Sequence, residues 1–344
     1  MRKIGILLLA FLLVFSMACT QAADTPPPAD TVTETPPTTE ETAEEPADEP
    51  AAIDANLRVG TGGTQGTYYG FTSAITNILK DKVPGLTFTV QSTGASKANI
   101  LLIKDGEVDM AIVQNDVMDY AFNGTDLFVG EQVDGFKSLA GLYAEVCQII
   151  AKPGIESVAD LAGKRVSVGD VGSGVEFNAG QILEAYELSF DDIVKQNLSF
   201  GDSATAFKDG KIDAFFVTAG APTVAVVELQ TATDITILEI DDEHADKLIA
   251  KYPFYTKFDI PMDAYKGMAA DVQTVAVKAT FIVADSVDEE VAYALTKALF
   301  ENKDELVVAH AKAMELDPAY AVEGISVPFH PGAEKYFKEI GALK

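Results

Sequence analysis

The sequence predicts an α/β protein of two similar α/β lobes, joined by two hinge crossings with a ligand cleft between them. Three observations carry that expectation. Beyond residue 54, short apolar strand-like runs alternate with helical stretches, the pattern of a largely parallel sheet covered by helices. One segment recurs: Lys104-Asp105-Gly106-Glu107-Val108-Asp109-Met110-Ala111-Ile112-Val113 returns 104 positions later as Lys208-Asp209-Gly210-Lys211-Ile212-Asp213-Ala214-Phe215-Phe216-Val217. Two apolar runs, Tyr143–Ala151 and Val272–Ala284, are placed to carry the chain out of the first lobe and back.

Residues 1–19 read as an export signal. Arg2 and Lys3 give a charged start, Ile4–Phe15 is an apolar run of 12, and Ser16-Met17-Ala18-Cys19 ends it with small residues before a cysteine. Spanning a bilayer takes about 20 residues, so this run is too short. The cysteine after Ala18 resembles a bacterial lipobox, with Ser16 where that motif usually has Leu. Cys19 is therefore the expected lipidation site, and cleavage near Ala18 or Ala23 is the alternative. Residues 20–54 hold ten acidic residues, eight Thr, seven Pro and no basic residue. Such a segment cannot bury enough apolar surface to fold, and reads as a disordered acidic Thr/Pro linker.

The elements of the body follow in order. Leu57–Gly60 is a short strand and Tyr69–Lys80 a helix. Leu86–Gln91 is a strand, Ser96–Lys104 a helix with Ala98, Leu101 and Leu102 on one side, and Val108–Val113 a strand. In the second half, Arg165–Val168 and Phe215–Thr218 are strands, and Pro222 suits the first turn of a helix. Ser92-Thr93-Gly94-Ala95-Ser96 is echoed by Ser199-Phe200-Gly201-Asp202-Ser203, with the intervening helix three residues shorter in the second copy. Asp105, Asp109, Asp209 and Asp213 read as helix ends and turns, and Lys164 and Arg165 as solvated. The expected division is lobe I over 55–142 and 275–344, and lobe II over 143–274.

Charge narrows the function. The chain carries −28 over 344 residues; the first 54 account for two positive and ten negative charges, leaving the body at −20. A nucleic-acid binder needs a basic face, so that class is disfavoured. Arginine occurs only at Arg2, Arg58 and Arg165, too sparse for a phosphate or carboxylate clamp. His244, His310 and His330 lie far apart and beside neither cysteine, which leaves zinc unsupported, and no metal or cofactor is expected. Cys147 lies in an apolar run and reads as a buried strand residue. No Ser–His–Asp or Cys–His arrangement is visible, so an enzyme is not expected.

Ligands of open α/β sheets bind outside the carboxyl ends of the strands, and polar, glycine-rich residues collect there. They form Gly60–Tyr69, Ser92–Ser96, Gln114-Asn115-Asp116, Gly169–Val175 and Ala219–Pro222. Several backbone N–H clusters thus open helices toward one crevice, and helix N-termini hold a carboxylate without a cation. Gly60–Gly66 lacks the spacing of a dinucleotide or phosphate loop; a flexible turn is the simpler alternative. The expected binding residues are Thr67, Tyr68, Tyr69, Ser92, Thr93, Gly94, Ser96, Gly172, Ser173, Gly174 and Val175 around a carboxylate. Gln114, Asp116 and Tyr143 are expected at the solute's other end, Asp116 pairing with an amino group or capping the following helix. Ala219 and Gly220 complete the set, with Thr274 near the hinge.

Gly62-Gly63-Thr64-Gln65-Gly66-Thr67-Tyr68-Tyr69, Ser92–Ser96 and Asp109–Gln114 resemble the start of the TAXI proteins, solute receptors of tripartite ATP-independent periplasmic (TRAP) transporters. Asp160–Gly169 with Gly172-Ser173-Gly174, Ala214–Pro222 and Asp271–Val277 continue the resemblance in order to the C-terminus. Val175 stands where relatives often have a hydroxyl residue, and Ala95 where many have a second glycine. The resemblance implies a type II periplasmic-binding-protein fold that closes on a small carboxylate or amino acid. The solute, glutamate- or glutamine-like or a 2-oxo dicarboxylate, passes to a TRAP membrane permease. The competing readings are the receptor of an ATP-driven importer, a surface enzyme acting through a carboxylate pair, and an adhesin.

Overall fold

The computed structural model describes residues 53–344; the signal, Cys19 and the linker as far as residue 52 lie outside the described residues. The first half alternates β1 (Ala55–Gly60), α1 (Thr67–Lys82), β2 (Leu86–Gln91), α2 (Ser96–Lys104), β3 (Met110–Gln114) and α3 (Asn115–Asn123), and then enters the long β4 (Phe136–Ala151). The second half repeats the scheme with β5 (Arg165–Ser167), α4 (Gly174–Ala185), β6 (Val194–Gln196), α5 (Phe200–Lys208), β7 (Ala214–Ala219) and α6 (Val224–Leu229). After β8 (Thr236–Leu238), α7 (Asp242–Lys251) and β9 (Thr256–Ile260), the chain returns through β10 (Val272–Ala284). It ends in α8 (Glu289–Glu301), α9 (Lys303–Ala309), α10 (Pro318–Val322) and α11 (Pro331–Glu339).

The strands form one sheet in the order β2-β1-β3-β10-β4-β7-β5-β6, with β8 paired to β4 and β9 to β10. The order reads almost the same from either end. In each half a parallel trio meets a long antiparallel strand, β3 against β10 and β7 against β4. β4 and β10 pair with each other at the centre. Two α/β lobes sharing two long crossing strands make the type II periplasmic-binding-protein fold.

The reason for the continuous apolar runs is burial on both sheet faces. In β3, Met110 and Ile112 join a core with Phe71, Leu139 and Phe281, while Ala111 and Val113 face Ile100, Val117 and Phe136. In β7, Ala214 and Phe216 meet Ile149 and Ile182, and Phe215 and Val217 meet Val146, Phe207 and Ile260. Leu295, Leu299 and Phe337 of α8 and α11 seal the first half. β4 begins well before the apolar run at Tyr143. Lys137, Ser138 and Gly141 hide its start in the sequence. Ser138 is buried because Pro328 O, Val327 O and the N–H of His330 satisfy its backbone and hydroxyl.

The repeat is real, but its register differs from the expected one. α2 and α5 are both nine residues long, and Gly106 and Gly210 follow them with φ of 68° and 72°. No turn is missing from the second copy. Ser199 is the N-cap of α5, accepting a bond from Asp202 N at 3.2 Å, and so corresponds to Ala95 rather than to Ser92. Phe200 then corresponds to Ser96.

The repeated aspartates also do more than end helices. Asp109 accepts from Arg58 N, Nε and Nη2 at 2.8, 2.9 and 2.6 Å. Asp213 accepts from Arg165 N, Nε and Nη2 at 3.1, 2.9 and 2.7 Å, and from Lys152 Nζ at 2.9 Å. Each lobe thus pins its first strand to the start of its third with one bidentate pair. Arg165 is therefore a clamp, not a freely solvated side chain. Pro222 does not open α6 either: Thr223 precedes that helix, its N–H bonded to Tyr265 Oη at 2.7 Å.

Candidate functional site

The carboxyl ends of β1, β3 and β7 and the loop after β5 converge on a cavity at the seam of the two halves. It is lined by Gly62, Gly63, Gly66, Thr67, Tyr68, Ala95, Ser96, Gln114, Glu145, Asp170, Ser173, Gly174, Val175, Phe200, Thr218 and Ala219. About 50 Å³ is open to the centre of a water molecule, several times the roughly 10–15 Å³ that one water needs.

Three helices begin at this wall: α1 at Thr67, α2 at Ser96 and α4 at Gly174. Gly66 and Ala95 precede the first two and cap neither with a side chain, so their first-turn N–H groups keep no side-chain acceptor. Ser173 caps α4 through Glu176 N at 3.2 Å. Ala95 holds φ 66° and ψ −145°, a conformation that suits glycine and strains a residue with a Cβ. That is the physical content of its departure from the family pattern.

The chemistry of the wall is unusual for an anion site, because no lysine, arginine or histidine lines it. Lys97, in the first turn of α2, turns its ammonium to Leu127 O at 3.0 Å and toward Glu131 at 3.8 Å. Two acids face the space instead. Glu145, in the middle of β4 and 2% exposed, accepts a hydrogen bond from Tyr68 Oη at 2.7 Å. Burial, with Asp116 nearby, pushes its carboxyl well above the usual range, against the pull of the Tyr68 bond. Asp170 is also raised, by burial and by Asp202. Gln114, 2% exposed, donates its backbone N–H to Ser96 Oγ at 3.1 Å, while its side-chain Oε1 has no partner.

Contacts across the seam hold the cavity shut. Thr67 Oγ1 donates to Gly220 O at 3.1 Å, Ala225 N to Gln65 O at 3.3 Å, and Gln65 Nε2 to Glu228 Oε2 at 3.2 Å. On the opposite side, Asn178 Nδ2 bonds Asp116 Oδ2 at 3.2 Å and Tyr255 Oη at 2.6 Å, and Tyr255 Oη donates to Gln181 Oε1 at 2.6 Å. Gln114 lies so close to α4 that a Cβ on Gly174 would sit 2.0 Å from its Oε1.

Of the expected site residues, Thr67, Tyr68, Ser96, Gln114, Ser173, Gly174, Val175 and Ala219 stand on the wall together. Tyr69, Ser92, Thr93, Gly94, Asp116, Tyr143, Gly172, Gly220 and Thr274 do not, each for a local reason where one is visible. Ser92 Oγ donates to Gly62 O at 2.9 Å, and Thr93 Oγ1 sits 2.9 Å from Thr61 O and 2.6 Å from Asn99 Oδ1, so both hydroxyls lock the loop. Gly172 N is taken by Glu176 Oε2 at 2.7 Å, and Gly220 lies beneath Thr67 and Lys312. Thr274 Oγ1 donates to Cys147 O at 2.5 Å. Tyr143 is a core residue, edge-on to Phe71. Asp116 is fully buried behind the wall, its carboxyl pushed up to about 7 by burial. The acids that reach the cavity are Glu145 and Asp170. Glu145 had a signal in the sequence: a lone carboxylate inside an apolar strand is costly unless it is paired. Phe200 and Thr218 carried no comparable signal.

Similar backbones occur among solved structures. The alkanesulfonate-binding protein SsuA from Xanthomonas axonopodis pv. citri, bound to MOPS, has a TM-score of 0.48 and 16% identity, covering 86% of this chain and 82% of its own. A putative L-cystine ABC transporter from Listeria monocytogenes has a TM-score of 0.48 and 17% identity, covering 76% and 97%. DctP7, a Bordetella pertussis extracytoplasmic solute receptor binding pyroglutamic acid, has a TM-score of 0.45 and 16% identity, covering 84% and 92%. The sequence itself matches the NMT1-like family over residues 59–341, from the first strand of the sheet to the end of the last helix. With both lobes and the whole cavity wall inside that match, the chain belongs to the NMT1-like family.

Proposed function

We propose that this protein is an extracytoplasmic solute receptor. It captures a small carboxylate or amino acid by closure of two lobes, 55–142 with 275–344 against 143–274, and delivers it to a TRAP-type membrane permease. The observation that carries this reading is the cavity on the seam, which is lined by the openings of three helices and by Gln114, whose side-chain oxygen is buried without a partner. Helix N-termini stabilise a carboxylate through aligned N–H groups. A ligand touching both halves favours the closed state by its differential affinity. The TRAP partner follows from the resemblance to TAXI receptors, and Cys19 is the proposed tether. No turnover of the solute belongs to this reading.

Native mass spectrometry of the purified protein, before and after its ligand is stripped, tests the reading. The stripped protein is then offered glutamate, glutamine, 2-oxoglutarate and succinate. One solute per chain, recovered chemically unchanged, is the expected result. Conversion of the solute would overturn the receptor reading, and uptake that does not depend on the adjacent permease genes would overturn the TRAP partner.

A further inference from the structure

Resting on the receptor reading, we propose that Glu145 and Gln114 Oε1 form an ammonium subsite, so that the cavity takes an α-amino acid in preference to the 2-oxo acid of the same skeleton. The wall divides into two kinds of group. The first turns of α1, α2 and α4 supply N–H donors suited to a carboxylate. Among them, the Gln114 side-chain oxygen is buried without a donor, and a buried acceptor left unpaired is costly. Glu145 accepts only the Tyr68 hydroxyl among the described residues and borders the same space. Gly174 brings that Gln114 amide against the opening of α4, so the lone acceptor sits beside a donor-rich helix end. A ligand that joins a carboxylate to an N–H₃⁺ group satisfies both at once; a 2-oxo acid brings no donor for the Gln114 oxygen.

The groups around Glu145 set the proton balance. They are Tyr68 on α1, Tyr143 and Cys147 on its own strand, Asp116 on α3 and Tyr320 on α10, with Asp170 across the cavity. None of these is a cation, and burial raises the empty Glu145 carboxyl well above the usual carboxylate range. A docked N–H₃⁺ group, which keeps its own three protons, favours the Glu145 carboxylate and sends any proton it held to solvent. Binding of an amino acid therefore tightens as pH rises.

The experiment is calorimetry of the stripped full protein across a range of pH, with the primary α-amino acids and their matched 2-oxo acids. Glu145→Gln keeps the shape and the Tyr68 contact, and Gln114→Met is the independent second variant. At least one amino acid is expected to bind at least tenfold more tightly than its 2-oxo partner, with the gap widening as pH rises. Glu145→Gln should weaken the amino acid by roughly 10- to 100-fold and flatten that pH dependence, with less change for the 2-oxo acid. Gln114→Met should weaken the amino acid by a smaller factor. A 2-oxo acid binding as tightly as its amine, or Glu145→Gln leaving the amino acid untouched, overturns the ammonium subsite and leaves the receptor reading standing. A panel on which nothing binds overturns both.

Discussion

Gly174→Ala separates closure from folding. An ideal Cβ at Gly174 falls 2.0 Å from Gln114 Oε1, 2.4 Å from its Cδ and 2.9 Å from its Nε2, whereas real Cβ contacts stay beyond 3.0 Å. The amide must therefore retreat by about 1 Å. It has little room, because Gln114 is 2% exposed and its backbone N–H is held by Ser96 Oγ. The least costly retreat is a slight parting of α4 from the end of β3, which is a partial opening of the lobes. Forcing an extra methyl into a packed site costs about 1–3 kcal/mol, so ligand affinity should fall roughly 5- to 150-fold. The unliganded protein pays no such penalty once open, and alanine is the better helix residue, so its thermal midpoint should not fall. Calorimetry reads the affinity, and small-angle scattering of the loaded form reads compaction. A variant as tight and as compact as the parent refutes the idea that this close approach belongs to the closed state.

Two further outcomes are expected. The Asp116 carboxyl is raised to about 7 from an ordinary 3.8 by burial, so the native state holds a proton there that the unfolded chain has released. Its stabilising contribution is complete below about pH 4 and is lost as pH rises through about 7. Thermal midpoints measured from pH 4 to pH 8 should therefore decline, and Asp116→Asn should shrink the decline, leaving the part that Glu145 contributes in the same direction; an unchanged slope removes Asp116 from the account. For the two clamps, Asp213→Asn should lower the midpoint more than Asp109→Asn, because Asp213 gathers four donors and Asp109 three. Equal or reversed losses in urea or thermal melts would show that the clamps do not work through these bonds.

How much of this was legible in the sequence depends on where each residue's partners lie. β3 and β7 were plain because both faces are buried, so all but Gln114 and Thr218 are apolar and no phase has to be guessed. The Val272–Ala284 crossing was plain from its apolar majority, although Gln273, Thr274, Lys278 and Thr280 interrupt it. The start of β4 was not, since Ser138 is polar and its partners arrive from residues nearly two hundred positions away. The repeat was visible through Lys-Asp-Gly, but Ser199 looked like Ser92 when it is the structural counterpart of Ala95, because a cap is defined by the bond it accepts and not by its identity. The Arg58–Asp109 and Arg165–Asp213 pairs join residues about fifty positions apart, and nothing local announces them. Glu145 was easily passed over among its apolar neighbours although a lone carboxylate there is a signal, while Asp116, conspicuous at a strand end, is fully buried and off the cavity wall.

The wall also answers how an acidic body could hold an acid. A long-range field from a net charge of −20 opposes an approaching anion, but it is screened over about 8 Å at physiological salt. Inside the cavity the local terms decide. Each helix N-terminus is equivalent to roughly half a positive charge, and three of them point at one small space. A lysine or arginine there would bind carboxylates of every kind and would need its own desolvation repaid. Dipoles fixed in the backbone carry no such cost, and they leave the two buried acceptors, Glu145 and Gln114, to choose among carboxylates by what else the ligand carries. Affinity for the shared group and selection by the distinguishing one are thus assigned to different groups, side by side in the same cavity.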